Sequence, residues 1–324
     1  MTRTPKNDQG TPHGMHIQPL NGYIGAEISG VFLGNLNEAE FGAIREALVN
    51  YEVIVFRDQD ITLDQQIDFA KRFGNLSVHP FAPNMESKPE VITFDYTADN
   101  PPVNTDCWHS DETFRKAPPL GTILRGKIIP NKGGDTIFAS MTAAYQGLSE
   151  RMKSYIHGME AVHDFKPFRK LFSNSARDRE KLREIEDQFP NPSHPLVAVH
   201  PESGRRTLYV NPQFTVRLIG VEQEESDMIL NYLYSQANVP EYQLRVKWRP
   251  NTVVMWDNRS TQHYAPHDYF PQRRALDRVT VAGTEIVGVT GPYAPATIAD
   301  DRFVAPPAQP SANAKRPLRP FERQ

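Results

Sequence analysis

The chain has 324 residues, 39% of them hydrophobic and 23% charged, a composition suited to a globular protein with a sizeable core. Its formal net charge of −3 argues against a nucleic-acid partner, whose binders usually carry a basic excess. A single cysteine, Cys107, excludes an intrachain disulfide, and no apolar run is long enough to cross a bilayer.

Residues 1–14 are polar, lack the apolar centre of a signal peptide, and read as a disordered leader. Together with the lone cysteine this gives the expectation of a cytoplasmic protein, with one domain over 15–302. The first helix begins near Asn37, with Glu40 three residues on and Phe41, Ile44, Leu48 and Tyr51 at helical spacing. Val53–Phe56 is a short apolar run suited to a buried strand. A second helix has Thr62 as N-cap, Gln65 completing a capping box, and Gly74 as its stop.

Beyond residue 89 the pattern turns to strands. Val91–Phe94, Thr122–Ile129, Leu196–His200, Thr207–Val210, Leu244–Trp248, Thr252–Trp256 and Arg278–Ala282 are rich in β-branched or aromatic residues. Gly133-Gly134, Ser203-Gly204 and Pro250-Asn251 are turn signals between several of them. Helices are expected at Thr142–Ile156 and Gln223–Gln236. Residues 165–193 mix charged clusters with scattered aromatics and read as an exposed helix or a mobile insertion, with a lid as the sharper alternative. The proline-rich end, 303–324, reads as a disordered tail. Many short strands and few helices predict a mainly β fold, a sandwich or barrel decorated by helices.

The segment Trp108-His109-Ser110-Asp111 carries the main chemical signal. On a strand, residues two apart share a face, so His109 and Asp111 can offer an imidazole nitrogen and a carboxylate oxygen to one metal ion. Alone, such a pair more often marks a surface contact. The third ligand candidate is His263, within Trp256-Asp257-Asn258 to Tyr264-Ala265. Two histidines and one carboxylate leave open coordination positions on iron, whereas a structural zinc site favours four closed ligands, usually with thiolates.

With Gly133-Gly134-Asp135-Thr136, His200-Pro201, Leu208-Tyr209-Val210-Asn211 and Gln272-Arg273-Arg274 to Arg278 added, the chain resembles the taurine dioxygenase (TauD/TfdA) family over residues 15 to 285 or so. The resemblance implies a double-stranded β-helix (jelly-roll) core and an oxygenase using Fe(II), 2-oxoglutarate and O₂. It implies His109, Asp111 and His263 as iron ligands, Arg274 as the partner of the distal 2-oxoglutarate carboxylate, and Thr136 as a second donor to it. Arg278 and His79 would meet the anionic group of the substrate. It also implies a homo-oligomer, dimer or tetramer.

Each residue also has a plainer reading. His267, four residues beyond His263, competes for the ligand role; Thr136 can be an ordinary strand residue; Arg278 can make a structural ion pair; His79 can be a loop residue before a proline. Arg273 and Arg274 face opposite ways on a strand, so only one of them points inward. Trp108 and Trp256 read as packing beside the ligands and Cys107 as a small buried hydrophobe. Taurine-type members tend to have asparagine where this chain has Thr105 and an aromatic where it has Ala82, which predicts a larger substrate. An alkyl sulfate, a larger sulfonate or an aryloxyalkanoate would fit. Two rival readings are a metal-dependent hydrolase or isomerase and a non-catalytic binding barrel.

Overall fold

A computed structural model describes residues 12, 14–82, 84–102, 105–169 and 176–295. The expected leader, apart from 12 and 14, the expected tail and residues 170–175 lie outside the described residues. The chain divides into a compact unit 1–291, to which everything below belongs, and a unit 292–324.

Two sheets form the body. The large one runs His16–Pro19, Ala26–Ser29, Val53–Phe56, Val253–Asp257, Gly121–Ile128, Arg274–Val281, Lys88–Tyr96 and Asn84–Met85, with Leu76–Ser77 also paired to Arg274–Val281. All its pairings are antiparallel except Ala26–Ser29 with Val53–Phe56. The small sheet is Gln243–Val246, Thr136–Ser140 and Thr261–Tyr264. Two further small pairings place Glu160–His163 between Ser193–Pro195 and Thr215–Leu218, and Val197–Val199 beside Arg206–Leu208. This is the jelly-roll core that the resemblance implies.

Side-chain alternation divides the large sheet into two faces. Ile54, Phe56, Val253, Met255, Val279 and Val281 face a helical layer that contributes Ile44, Leu48, Ile67 and Phe69. Val53, Val55, Val254, Trp256 and Leu276 face the small sheet and meet Phe138, Leu244, Val246 and Trp248. The helices that cover the first face start where expected. Asn37 caps Glu38–Tyr51 and Thr62 caps Leu63–Lys71, each with a complete capping box.

Several expectations shift. The second helix ends at Lys71, with Arg72 as its C-cap, before Gly74. Arg72 bonds Glu38 and the Leu36 carbonyl, while Phe73 turns back onto Phe41 and Phe69. The expected helix Thr142–Ile156 is two, Met141–Gln146 and Glu150–Ile156. They break at Gly147, where a Cβ would lie 2.0 Å from the Tyr242 hydroxyl oxygen. In 165–193 the structure has helices Lys166–Arg169 and Ala176–Gln188. They are anchored rather than wholly exposed, because Phe165, Ile185 and Phe189 pack with Phe114 and Phe214.

Phe138 sits at the centre of the inter-sheet core, fully buried, its ring 5.4 Å from that of Trp256. Phe138→Ala should cost about 3–5 kcal/mol, seen as a lower denaturant midpoint at unchanged slope. A loss below about 1 kcal/mol would show that the two sheets do not meet there.

Candidate active site

His263 lies on the edge strand Thr261–Tyr264, and its backbone exchanges both hydrogen bonds with His109, at 2.8 and 3.1 Å. This isolated bridge brings together segments that are distant in sequence and sets the two rings 4.1 Å apart. Asp111 follows in a turn, so the expected regular strand through His109 and Asp111 is absent. The bridge and the turn, not strand alternation, make these residues converge. One ligand atom from each of His109, Asp111 and His263 lies within 4.8 Å of the other two, and His263 Nε2 is 3.8 Å from Asp111 Oδ1.

Surrounding groups fix how these side chains point. His109 Nδ1 is held 2.8 Å from the Cys107 carbonyl, which turns Nε2 toward the centre. Cys107 itself is half-buried, and its carbonyl, not its thiol, serves the site. Asp111 Oδ2 accepts from the Thr122 hydroxyl at 2.7 Å, and Asn258 donates to Thr122 at 3.2 Å. The Asn258 side-chain oxygen Oδ1 accepts from the Asp111 N–H and from Trp256 Nε1. Sequence reading passed over Thr122 as one more strand threonine, and Asn258 could be seen only as the end of a motif. Trp256 is buried with its ring 4.8 Å from that of His263, whereas Trp108 is half-buried and donates to Asn238.

Burial lowers His263 to about 3 and also lowers His109, so both rings are neutral. For Asp111 burial acts upward, but the Arg278 guanidinium, helped by the Thr122 hydroxyl, outweighs it and holds the carboxyl below its usual range. Two neutral imidazoles and one carboxylate are the ionisation states that metal binding requires. No thiolate is present to favour a closed zinc site.

Two buried arginines come from the strand Arg274–Val281, where Arg274, Leu276 and Arg278 share the face toward the small sheet. Arg274 Nε donates to the Gly134 carbonyl at 3.0 Å, while its buried Nη2 has no partner in the structure. The rings of Tyr269 and Trp248 lie 5.6 and 5.9 Å from its guanidinium. Gly133 and Gly134 have φ of 71° and 70°, and a Cβ on Gly134 would sit 3.0 Å from Pro130 and 3.2 Å from Arg274 Cδ. Only glycine lets that carbonyl reach Arg274. Thr136 Oγ1 accepts from Trp248 Nε1 at 3.0 Å, which leaves its own proton to donate. Thr136, Arg274, His109 and His263 line a cavity of about 70 Å³. Arg273 points the other way, exposed and paired with Asp95 at 2.7 Å.

A larger cavity of about 270 Å³ shares Thr105, His109 and Arg278 with the first. Asp111, Glu112, His79 and Ala82 also line it, with Phe81, Phe168 and Phe214 as an aromatic wall. His79 is buried, not a half-exposed loop residue. Its Nδ1 accepts from the N–H groups of Phe81 and Ala82, so the neutral ring carries its proton on Nε2. Burial lowers this ring to about 3, with Arg278 acting in the same direction. Arg278 Nη2 stands 3.1 Å from Asp111 Oδ1 and 3.7 Å from Glu112 Oε1. It thus combines the ion pair with a place in the cavity wall. Burial pushes the Glu112 carboxyl up, opposed by Arg115 and Arg278. Thr105 Oγ1 meets His267 Nε2 at 2.7 Å, so His267 stays outside the His109–Asp111–His263 group.

Residues 16–280 match the family model described as "Taurine catabolism dioxygenase TauD, TfdA family". An alkylsulfatase from Acinetobacter baylyi is 35% identical over 293 residues, 89% of this chain and 91% of that protein. An alpha-ketoglutarate-dependent sulfate ester dioxygenase from Pseudomonas putida is 36% identical over 288 residues, 86% of this chain and 94% of that protein. The crystal structure of a taurine dioxygenase from Burkholderia xenovorans superposes with a TM-score of 0.72 at 34% identity, covering 85% of this chain and 93% of that one. The chain belongs to the TauD/TfdA family and is a 2-oxoglutarate-dependent dioxygenase, an oxidoreductase. Neither the hydrolase nor the non-catalytic reading is favoured. No helix among the described residues is long and apolar enough to cross a membrane.

Two outcomes are expected. Thr122→Val keeps the side-chain volume but removes the donor to Asp111, and should weaken metal binding roughly 10- to 100-fold by calorimetric titration. Unchanged affinity would show that Thr122 does not hold the carboxylate. The second concerns acid. A histidine whose folded value lies below its unfolded value near 6.5 costs stability as pH falls between the two, because only the unfolded chain takes up the proton. His79 and His263, both lowered to about 3, each remove about 1.4 kcal/mol per pH unit in that window. Denaturant melts of the metal-free chain should therefore weaken steadily from pH 6.5 toward pH 4; a flat profile would contradict the burial of these rings.

Proposed function

We propose that the chain hydroxylates a singly anionic organic molecule with an apolar tail, a sulfate ester above all, using iron(II), 2-oxoglutarate and O₂. His109, Asp111 and His263 hold the metal. Arg274 and Thr136 bind the far carboxylate of 2-oxoglutarate, and Arg278 with His79 binds the substrate anion. The observation that carries the reading is the unpaired, buried guanidinium edge of Arg274 beside this group of ligand atoms. A buried cation without a counter-charge is costly, and a carboxylate is the ligand that a guanidinium fork best accepts.

Bound iron(II) with its cosubstrate supplies the oxidising chemistry, in which O₂ hydroxylates a carbon while 2-oxoglutarate becomes succinate and CO₂. The chain contributes position and exclusion of water. The Trp248 N–H occupies the acceptor side of Thr136, so the hydroxyl proton points to the cosubstrate carboxylate. The two backbone N–H groups on His79 Nδ1 direct its Nε2 proton toward the substrate oxygens. Phe81, Phe168 and Phe214 give the tail an apolar wall. Ala82 and Thr105 are small there, and both open space for a tail larger than that of taurine. If the carbon bonded to the sulfate oxygen is hydroxylated, the product breaks to an aldehyde and hydrogen sulfate. The similarity to an alkylsulfatase and a sulfate ester dioxygenase supports the sulfate ester over the other anions. The aromatic wall favours an aryloxyalkanoate as second reading.

Arg274→Ala should weaken 2-oxoglutarate binding roughly 10- to 100-fold, the worth of a charge-assisted pair of about 1.5–3 kcal/mol. Titrating 2-oxoglutarate into the anaerobic iron(II) protein should raise a weak visible charge-transfer band that reports this affinity. An affinity within twofold of the parent would mean that another cation holds the cosubstrate. Succinate formation across alkyl sulfates, sulfonates and aryloxyalkanoates tests the substrate; strong preference for taurine would defeat it.

A further inference from the structure

We infer that Glu112 sets the charge of the accepted substrate: its carboxylate, fixed beside Arg278, makes the pocket a receptor for a singly charged anion and turns away a doubly charged one. The inference rests on the reading of Arg278 as the substrate anchor.

Glu112 is 2% exposed and follows Asp111 in the left-handed region, with φ of 50°. That conformation is uncommon for a residue with a long side chain and directs the carboxylate inward. Oε2 accepts from Arg115 Nε at 2.6 Å, and this ion pair stabilises the carboxylate form against burial. Oε1 is buried with no hydrogen-bond partner and lies 3.7 Å from Arg278 Nη2. Arg278 is held on its other edge by Nε donating to Thr280 Oγ1 at 3.0 Å. Arg115 in turn donates to the carbonyl of Val78, the residue before His79, at 2.9 Å. Glu112 therefore faces the arginine on the strand, while Arg115 holds the loop one residue before the histidine.

A pocket built only to attract negative charge has no use for a buried carboxylate with a spare oxygen facing its arginine. The charges of the loaded site give it one. Asp111 and 2-oxoglutarate are balanced by the ferrous ion and Arg274, and Glu112 is balanced by Arg115. Arg278 alone remains, and a monoanion such as a sulfate ester, sulfonate or carboxylate cancels it. A phosphate monoester, carrying two charges above neutral pH, would leave one negative charge uncompensated next to Glu112. In a site screened from water this repulsion is not small. Shape cannot supply the same discrimination, because sulfate and phosphate esters are both tetrahedral and nearly the same size.

The test measures binding of hexyl sulfate and hexyl phosphate by calorimetry at about pH 8, to the full chain under anaerobic conditions with iron(II) and 2-oxoglutarate present. The unmodified protein should prefer the sulfate. Glu112→Gln should move the ratio of the two dissociation constants toward the phosphate by roughly 10- to 100-fold. Arg115→Met leaves the Glu112 charge unbalanced and should move the ratio the other way. A general disturbance of the pocket would move both variants in the same direction, and that result overturns the inference, as does a Glu112→Gln ratio within twofold of the parent. If the unmodified protein binds neither anion, the anchor reading fails and the charge filter with it. If the selectivity is found while no sulfate ester yields succinate, the filter stands and the sulfate ester reading of the reaction falls.

Discussion

The site depends on two backbone hydrogen bonds between His109 and His263. They are a single rung added to the edge of the small sheet, and they fix where the segment leading to Asp111 meets the barrel. A main-chain bridge suits this task because it fixes the separation of the two attachment points, and the Cys107 carbonyl then orients the His109 ring. The Asn258–Thr122–Asp111 chain then fixes the third group from the opposite sheet. The metal-binding set is therefore tied to both sheets at once, and Trp256 and Phe138 fill the gap between them.

Charge burial is the second theme. Asp111, Glu112, Arg274 and Arg278 are each no more than 9% exposed, and dehydrating four ionised groups is tolerable only when they compensate one another or await a partner. Asp111 and Glu112 flank Arg278, and Arg115 supplies the second positive charge that this group needs. Arg274 has only neutral neighbours at hydrogen-bonding distance, which makes it the more telling of the two arginines. A cation left in that state costs stability that a bound dicarboxylate returns, so the empty chain should be the less stable form.

Much of this could be read from sequence, for identifiable reasons. Both capping boxes are local patterns, complete within four residues, and their side chains do what the pattern requires. Long apolar strands such as Val253–Asp257 announce themselves by composition. Thr261–Tyr264 carries little such signal, because it is four residues long and its centre is Gln262 and the site residue His263. The need for glycine at 147 depends on a tyrosine nearly a hundred positions away, which no local window contains. His109, Asp111 and His263 do come together, but through a backbone bridge and a turn rather than by alternation along one strand. Thr122 and Glu112 were missed because each looks ordinary until the neighbouring strand is in place.

Arg274 and Arg278 stand four positions apart on one fully buried strand that is hydrogen-bonded on both sides. At about 3.4 Å per residue their attachment points are separated by roughly 14 Å. That span is a ruler laid down by the main chain, and no side-chain change nearby can stretch it. Slippage of the strand by one residue would carry both guanidinium groups into the helical layer together, so a misregistered molecule loses both anchors rather than keeping a half-built site. Loops around the larger cavity can vary to accept different tails while the distance between the two anchored reactants stays the same.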